Sequence, residues 1–350
     1  MNALSITPVE HPAAWTNESL LAQTDQWVYR LTEEDIAELD QALQDTQAKG
    51  LVMPHIGKAD FAIPQLMARL APFQQQLEKG LGLLQIKGLP VERYTKDQAS
   101  TIYWGLGMQL GKPWAQNKRG HLMGDVLNVG KDFNDPSARG YQTSIALNMH
   151  TDGADIVGLL FLKQAPEGGE STITSALSVY NLLARTQPEM LQHLLSTEFC
   201  TDWRDEEAPG ELPYRRGSVF SQGAAGITCF ILSVYIESAQ RHASAPRLTE
   251  KDRAALAAFE AATVDPALLV KFKQEPGDIF LLNNHFHLHG RSSFVDADEP
   301  QERRHLRRLW IESEAWDGIR PRTMQETLVT SRTWESSDNP VQMWDSVAVD

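Results

Sequence analysis

His150-Thr151-Asp152 sets an imidazole and a carboxylate two residues apart, and His285, His287 and His289 recur at alternate positions far downstream. Side chains two apart on a β-strand share a face, so His150 and Asp152 are predicted to point the same way. One distant histidine would then complete a set of two imidazoles and one acid. Such a 2-His-1-carboxylate triad holds a non-haem Fe(II) and leaves coordination positions open. The same donors also suit zinc, which would activate water for hydrolysis. A third reading is a jelly-roll binding protein whose metal site no longer turns over. By itself His-x-Asp also describes a surface pair or a hydrogen-bonded strand end. Here Leu147 and the run Ile156-Val157-Gly158-Leu159-Leu160 make the surroundings apolar, where an unpaired carboxylate is costly. Periodicity does not choose among the three downstream histidines, because on one strand all three face one side. Polar residues at a sheet edge are their plain alternative.

Arginine crowds a second stretch, Arg303-Arg304-His305-Leu306-Arg307-Arg308-Leu309-Trp310. On a strand Arg304, Leu306 and Arg308 share one face, opposite Arg303, His305, Arg307 and Leu309. An inward guanidinium needs an anion, its planar fork suits a carboxylate, and hydrogen bonds to charged groups contribute about 1.5–3 kcal/mol each. A solvated edge strand facing surface acids is the alternative.

The elements that must position these groups fall into two parts. Residues 1–80 read as a helical extension packed on the core. Thr32 precedes Glu33-Glu34-Asp35 and then Ile36, Leu39 and Leu43 at helical spacing, and a second helix is predicted from Ile63 to Lys79, interrupted or kinked by Pro72. Leu81 to Lys87 reads as a strand and Thr95 to Leu110 as a helix. Beyond Leu122 come short strand candidates punctuated by Gly, Pro and Asp: Val126–Val129, Ser144–Asp152, Ile156–Lys163, Ser171–Ser175, Val219–Phe220, Ile227–Leu232, Val270–Lys273, Ile279–Leu282 and Arg304–Ile311. A helix over Ser178–Leu195 carries Pro188 as a break. The order predicts a mainly β protein with helical additions (α+β), its core a double-stranded β-helix or jelly roll over 81–320, followed by a polar, weakly patterned tail over 321–350. No glycine-rich phosphate loop follows a strand, so no nucleotide cofactor is predicted.

Of 350 residues, 42% are hydrophobic and 22% charged, an ordinary globular balance, and the formal net charge is −14. That field repels nucleic-acid phosphate and anionic membranes, so neither is an expected partner. Cys200 and Cys229 match no metal or redox spacing, and the first fifteen residues lack a basic start followed by an apolar run. The expectation is a cytoplasmic protein with a small-molecule substrate. A homo-oligomer stays open, since one sequence shows no interface.

Four segments in order, His150-Thr151-Asp152, Gly168-Gly169-Glu170-Ser171, Asn284 through His289-Gly290-Arg291, and Arg304-His305-Leu306, resemble the taurine dioxygenase-like (TauD/TfdA) family. The resemblance runs from about Leu81 to Ser313. It implies an Fe(II)- and 2-oxoglutarate-dependent dioxygenase, related to γ-butyrobetaine hydroxylase, that uses O2 to oxidise an unactivated C–H and releases succinate and CO2. It further implies that His150, Asp152 and His289 ligate the iron, His289 holding the family's His-Gly-Arg position. Arg304 falls where an arginine pairs with the distal carboxylate of 2-oxoglutarate. Ser171 falls where relatives often have a threonine on that carboxylate, with Thr172 as its neighbour. Arg308 aligns with an arginine that in some relatives meets an anionic substrate. Asn148, two before His150, is a candidate substrate contact, and Tyr235 and Phe133 are candidate pocket walls. The carboxylate ligand Asp152 argues for oxygenation over halogenation, since related halogenases lack it.

Overall fold

The computed structural model describes residues 6–133, 135 and 138–334. Nine helices are found there: α1 (Asn17–Leu21), α2 (Glu33–Ala48), α3 (Pro64–Lys79), α4 (Lys96–Leu110), α5 (Ala176–Thr186), α6 (Pro188–Ser196), α7 (Ser233–Ser238), α8 (Glu250–Thr263) and α9 (Arg322–Trp334). Thr32 caps α2 by accepting from Asp35 N at 3.2 Å, as its acidic first turn predicts. Helix α3 continues through Pro72. The single helix predicted over 178–195 is two, because Gln187 leaves the helical region and Pro188 starts α6 at its first turn, where a missing N–H costs nothing.

The larger sheet runs β1 (Val28–Arg30), β2 (Leu83–Lys87), β14 (Ile279–Asn283), β6 (Ile156–Lys163), β17 (His305–Glu312), β3 (Lys112–Pro113), with β4 (Met123–Leu127) also on β17. Only β1–β2 is parallel among its pairings. The smaller sheet runs β13 (Val270–Phe272), β8 (Ser171–Ser175), β15 (His287–Arg291), β5 (Leu147–His150), all antiparallel. Three two-stranded ribbons complete the described strands: β7 (Glu167–Gly168) with β16 (Phe294–Val295), β9 (Phe199–Asp202) with β10 (Tyr214–Gly217), and β11 (Phe220–Gly223) with β12 (Gly226–Cys229).

Alternation along the strands sorts the core into layers. Val157, Phe161, Phe280, Leu282, Leu306 and Trp310 of the larger sheet meet Ile173 and Val270 of the smaller one between the sheets. Leu160, Ile279, Leu281, Leu309 and Ile311 point outward under α2, α3 and α4. Helices α5, α6 and α8 cover the far side of the smaller sheet around Leu183, Leu191 and Phe259. The jelly roll with helical additions is therefore the observed fold.

The N-terminal segment is woven into this core. β1 extends the larger sheet, and Trp15 Nε1 donates to Leu81 O at 3.2 Å and to His287 Nε2 at 3.1 Å. Residues 322–334, predicted as weakly patterned tail, form α9, whose Thr327, Leu328, Ser331 and Trp334 are buried. Residues 335–350 lie outside the described residues. No helix among the described residues is long and apolar enough to cross a membrane.

Candidate active site

The last residue of β5, His150, stands in register with His289 on β15, their ring centroids 4.3 Å apart. One ligand atom from each of His150, Asp152 and His289 lies within 4.8 Å of the others. Asp152 Oδ2 is 3.8 Å from His289 Nε2, too long for a hydrogen bond. Two donors each about 2.1 Å from one ion stand at most about 4.2 Å apart, so this gap suits a shared metal.

Strand alternation does not deliver Asp152, because β5 ends at His150. Asn284 does. Its Oδ1 accepts from Asp152 N at 2.9 Å, while its Nδ2 donates to Asp152 O at 2.6 Å and Ala154 O at 2.8 Å. The backbone of the loop after β5 is thereby tied to the β14–β15 turn. Thr151 N completes the anchorage by donating to Ile231 O.

Second partners set the ligand states. His150 Nδ1 lies 2.7 Å from Asn148 O, a carbonyl that can only accept, so Nδ1 carries a proton and Nε2 is the atom left to face a metal. Burial, and then His150, hold His289 down at about 3, keeping it neutral and able to bind metal. Its Nδ1 is buried without a partner among the described residues. Burial pushes the Asp152 carboxyl up, but Arg308, His289, His150 and the Trp310 indole outweigh it, and the group stays ionised below the usual range. Trp310 Nε1 donates to Asp152 Oδ2 at 3.0 Å and Arg308 Nη1 does so at 3.3 Å.

The three histidines do not share one strand. His285 lies in the reversal after β14, where Asn284 is gripped by the 152–154 backbone. Its Nε2 is 2.9 Å from Asp155 Oδ1, and its ring stacks on Trp316 at 3.6 Å. Arg320 closes the same buried cluster on Asp155 at 2.7 Å. His287 packs against Trp15 and Gly82, with Nδ1 2.9 Å from Asn283 O. Gly82 has φ +79°, and a Cβ there would come 2.1 Å from His287 Cε1. His285 and His287 are committed elsewhere, which leaves His289 beside His150 and Asp152.

Arg304 just precedes β17 and is 3% exposed, its guanidinium 5.3 Å from the Phe294 ring and 6.0 Å from Phe161. Its Nε has no partner, and no carboxylate among the described residues lies within ion-pair distance of the guanidinium. Burial, and then Arg291, lower it from 12.5 to about 9. Gly169, at φ +71°, lets the 168–170 loop approach, since a Cβ there would lie 3.0 Å from Arg304 Nε. A buried cation with an orphaned donor is a socket for an anion the protein does not itself supply. Ser171 Oγ donates to Gln274 Oε1 at 2.9 Å, and Gln274 Nε2 is another buried donor without a partner. Thr172 lies on the opposite strand face, its Oγ1 3.4 Å from Met149 Sδ.

A cavity of ≈ 180 Å³ opens on His150 and Asp152. Asn148, Arg308, Phe133 and Tyr235 line it, as does Trp310. Arg308 is not free there: it holds Asp152, donates from Nε to Gln116 Oε1 at 2.9 Å and lies 4.9 Å from the Tyr141 ring. Sequence reasoning missed Trp310, Gln116, Arg215, Thr327 and Trp334. Trp310 was within reach of it, being two residues beyond Arg308 on the same face; the others come from remote segments.

The sequence profile of the taurine catabolism dioxygenase TauD, TfdA family matches residues 30–310. "FR-33289 synthase" of Streptomyces rubellomurinus is 31% identical over 311 residues, covering 88% of this chain and 91% of that protein. "Taurine hydroxylase-like protein SAT17" of Stachybotrys chartarum is 27% identical over 305 residues, covering 85% and 77%. Among solved structures, asparagine oxygenase in complex with Fe(II), 3-hydroxyasparagine and succinate superposes with TM-score 0.61 at 18% identity, covering 82% of this chain and 93% of that one. The non-haem iron oxygenase OrfP in complex with Fe and α-ketoglutaric acid gives TM-score 0.60 at 16% identity, covering 82% and 94%. The chain belongs to the TauD/TfdA family of dioxygenases.

Proposed function

We propose that His150, Asp152 and His289 hold the Fe(II) of this Fe(II)- and 2-oxoglutarate-dependent dioxygenase, and that Arg304 holds the distal carboxylate of 2-oxoglutarate. The observation that carries the reading is the pairing of two incomplete sites: a cluster of His150, ionised Asp152 and neutral His289, and a buried guanidinium without a carboxylate among the described residues. Iron with 2-oxoglutarate and O2 supplies oxidation of an unactivated substrate C–H, with release of succinate and CO2.

The chain's residues do the rest. His150 presents Nε2 because its Nδ1 proton is held by Asn148 O. Trp310 and Arg308 both donate to Asp152 Oδ2, the oxygen that faces His289 Nε2, and so hold the carboxylate in place beside the imidazoles. Ser171 serves the distal carboxylate beside Arg304. Turning the Gln274 amide over makes Nε2 the donor to Ser171 Oγ and frees the hydroxyl proton for that carboxylate. Arg308 and Asn148 contact the substrate from the cavity wall. The cavity lies below the ~300–1,000 Å³ usual for drug-sized ligands, so the substrate is a compact small molecule. Structures of relatives hold asparagine- and arginine-derived products, which supports a substrate of that size.

Residues 81–320 carry every ligand and anchor named so far. Cys200 and Cys229 are free buried thiols, which suits a cytoplasmic location. The test is a screen of compact anionic metabolites with Fe(II), 2-oxoglutarate and O2, reading succinate. Succinate above the substrate-free background for at least one compound, lost in His289→Ala, is the expected result. Succinate that persists undiminished in His289→Ala contradicts the ligand assignment.

A further inference from the structure

Arg215 of β10 lines the same cavity as His150, Asp152 and Arg308. Its guanidinium carbon lies 3.9 Å from the Phe230 ring centroid and 4.9 Å from Trp203. Nη1 donates to Thr327 Oγ1. Among the described residues no carboxylate lies within ion-pair distance of it. Burial lowers this group from 12.5 to about 9, with only Glu326 working against it.

Three other guanidinia with little side-chain exposure are paired with carboxylates: Arg320 with Asp155, Arg307 with Asp125 and Arg308 with Asp152. The acids that share the cavity are also committed. Asp202 binds Arg241 at 2.8 Å and His242 at 3.1 Å, and Glu206 binds Arg139 at 3.2 Å and Lys118 N at 2.5 Å. Arg215, half-buried in the wall of the substrate cavity, therefore resembles Arg304 in being a cation without a carboxylate of its own among the described residues.

Its distance from the chemistry is short. Thr327 Cγ2 lies 3.1 Å from where a Cβ on Gly153 would be, and Gly153 directly follows Asp152. Thr327 and Trp334 stand seven residues apart on one face of α9, and both line the cavity. Trp334 Nε1 is a further buried donor without a partner among the described residues. The two aromatic rings cover the guanidinium and leave its planar edge for hydrogen bonding.

We propose that Arg215 is the substrate's anion anchor: it receives an oxyanion group (carboxylate, sulfonate or phosphonate) of a small molecule whose carbon skeleton runs back toward His150 and Asp152. This deepens the functional reading above and rests on it.

The test is calorimetric titration of the full chain, loaded with Fe(II) and saturating 2-oxoglutarate under argon. The probes are acetate, methanesulfonate and methylphosphonate at fixed ionic strength, with acetamide as the neutral control. Saturation of Arg304 by 2-oxoglutarate removes that competing anion site. At least one probe binds saturably and acetamide does not. Arg215→Gln weakens that probe about ten- to a hundredfold, and Arg215→Lys weakens it less. Unliganded Arg215→Gln melts no lower than wild type, since a half-buried guanidinium without a carboxylate partner among the described residues has been removed. The proposal is overturned by no saturable binding of any probe, by equal binding to Arg215→Gln, or by loss in Arg308→Gln alone. A lower melting temperature with unchanged probe binding would assign Arg215 a structural role instead. Failure of wild type to bind 2-oxoglutarate with Fe(II) strikes the parent reading. Anion binding that still depends on Arg215 would survive that failure.

Discussion

Replacing Arg304 by Met separates a binding role from a structural one, because the two predict opposite changes in stability. The methionine stem keeps the contact with Phe294 and Phe161 and removes only the charge and its donors. Burial lowers Arg304 from 12.5 to about 9, which corresponds to roughly 5 kcal/mol of penalty on the charged form, an upper bound on what its removal returns. The sign is clear: the folded state binds this proton less tightly than the unfolded chain, so the charge opposes folding at pH 7. If about 2 kcal/mol is recovered, an unfolding entropy of ~2.1 cal/mol/K per residue puts the ligand-free melting temperature about 3 °C higher. Binding moves the other way. Two charge-assisted hydrogen bonds at about 1.5–3 kcal/mol each, less the cost of desolvating the carboxylate, give a loss of about 10²–10³ in 2-oxoglutarate affinity. The assays are scanning calorimetry without ligand and an anaerobic titration of 2-oxoglutarate into the Fe(II)-loaded protein. A 2-oxoglutarate affinity within threefold of wild type refutes the pocket, and a lower melting temperature refutes the picture of an uncompensated charge.

Three further predictions follow from the site's supports. Trp310→Phe deletes the indole bond to Asp152 and keeps an aromatic ring at the site, so Fe(II) affinity falls about tenfold in a metal-competition titration while the fold is kept. Asn284→Ala leaves three buried backbone groups of the 152–154 loop without partners, at a cost of about 3 kcal/mol or more, and calorimetry shows a melting temperature about 4 °C lower together with weakened metal binding. Acid stability reports the Asp155 cluster: burial raises its carboxyl, but Arg320 and His285 pull it below the usual range. A depressed folded value means that this stabilisation is complete above about pH 4–5 and disappears as pH falls through the folded value. Melting temperature against pH is therefore shallower on the acid side in Asp155→Asn than in wild type, and parallel curves would count against it.

The clustering of His150, Asp152 and His289 was legible because it is carried by short ordered motifs. β6 and β8 have the bounds that their apolar runs and punctuation imply, and Leu306, Arg308 and Trp310 do face inward together. Asp152 does stand beside the two histidines, but its place is set by Asn284 across 132 residues of sequence rather than by the strand geometry expected. His285 was misplaced because one unbroken strand was assumed where the chain reverses. Arg215, Thr327 and Trp334 were invisible for a related cause. A residue joins this cavity through packing of α9 and β10 against the 150–153 loop, and neither local propensity nor spacing encodes that approach. At Arg308 the motif position matches and the guanidinium lines the cavity, but its hold on Asp152 was not legible in the motif.

The most direct test of the central claim is anaerobic Fe(II) titration followed by 2-oxoglutarate, reading the visible charge-transfer band. Wild type, His285→Gln and His287→Gln are predicted to give the band, while His150→Ala, Asp152→Ala and His289→Ala lose it. A band that survives His289→Ala, or a protein that ignores 2-oxoglutarate and hydrolyses ester or amide substrates with zinc, would contradict the account.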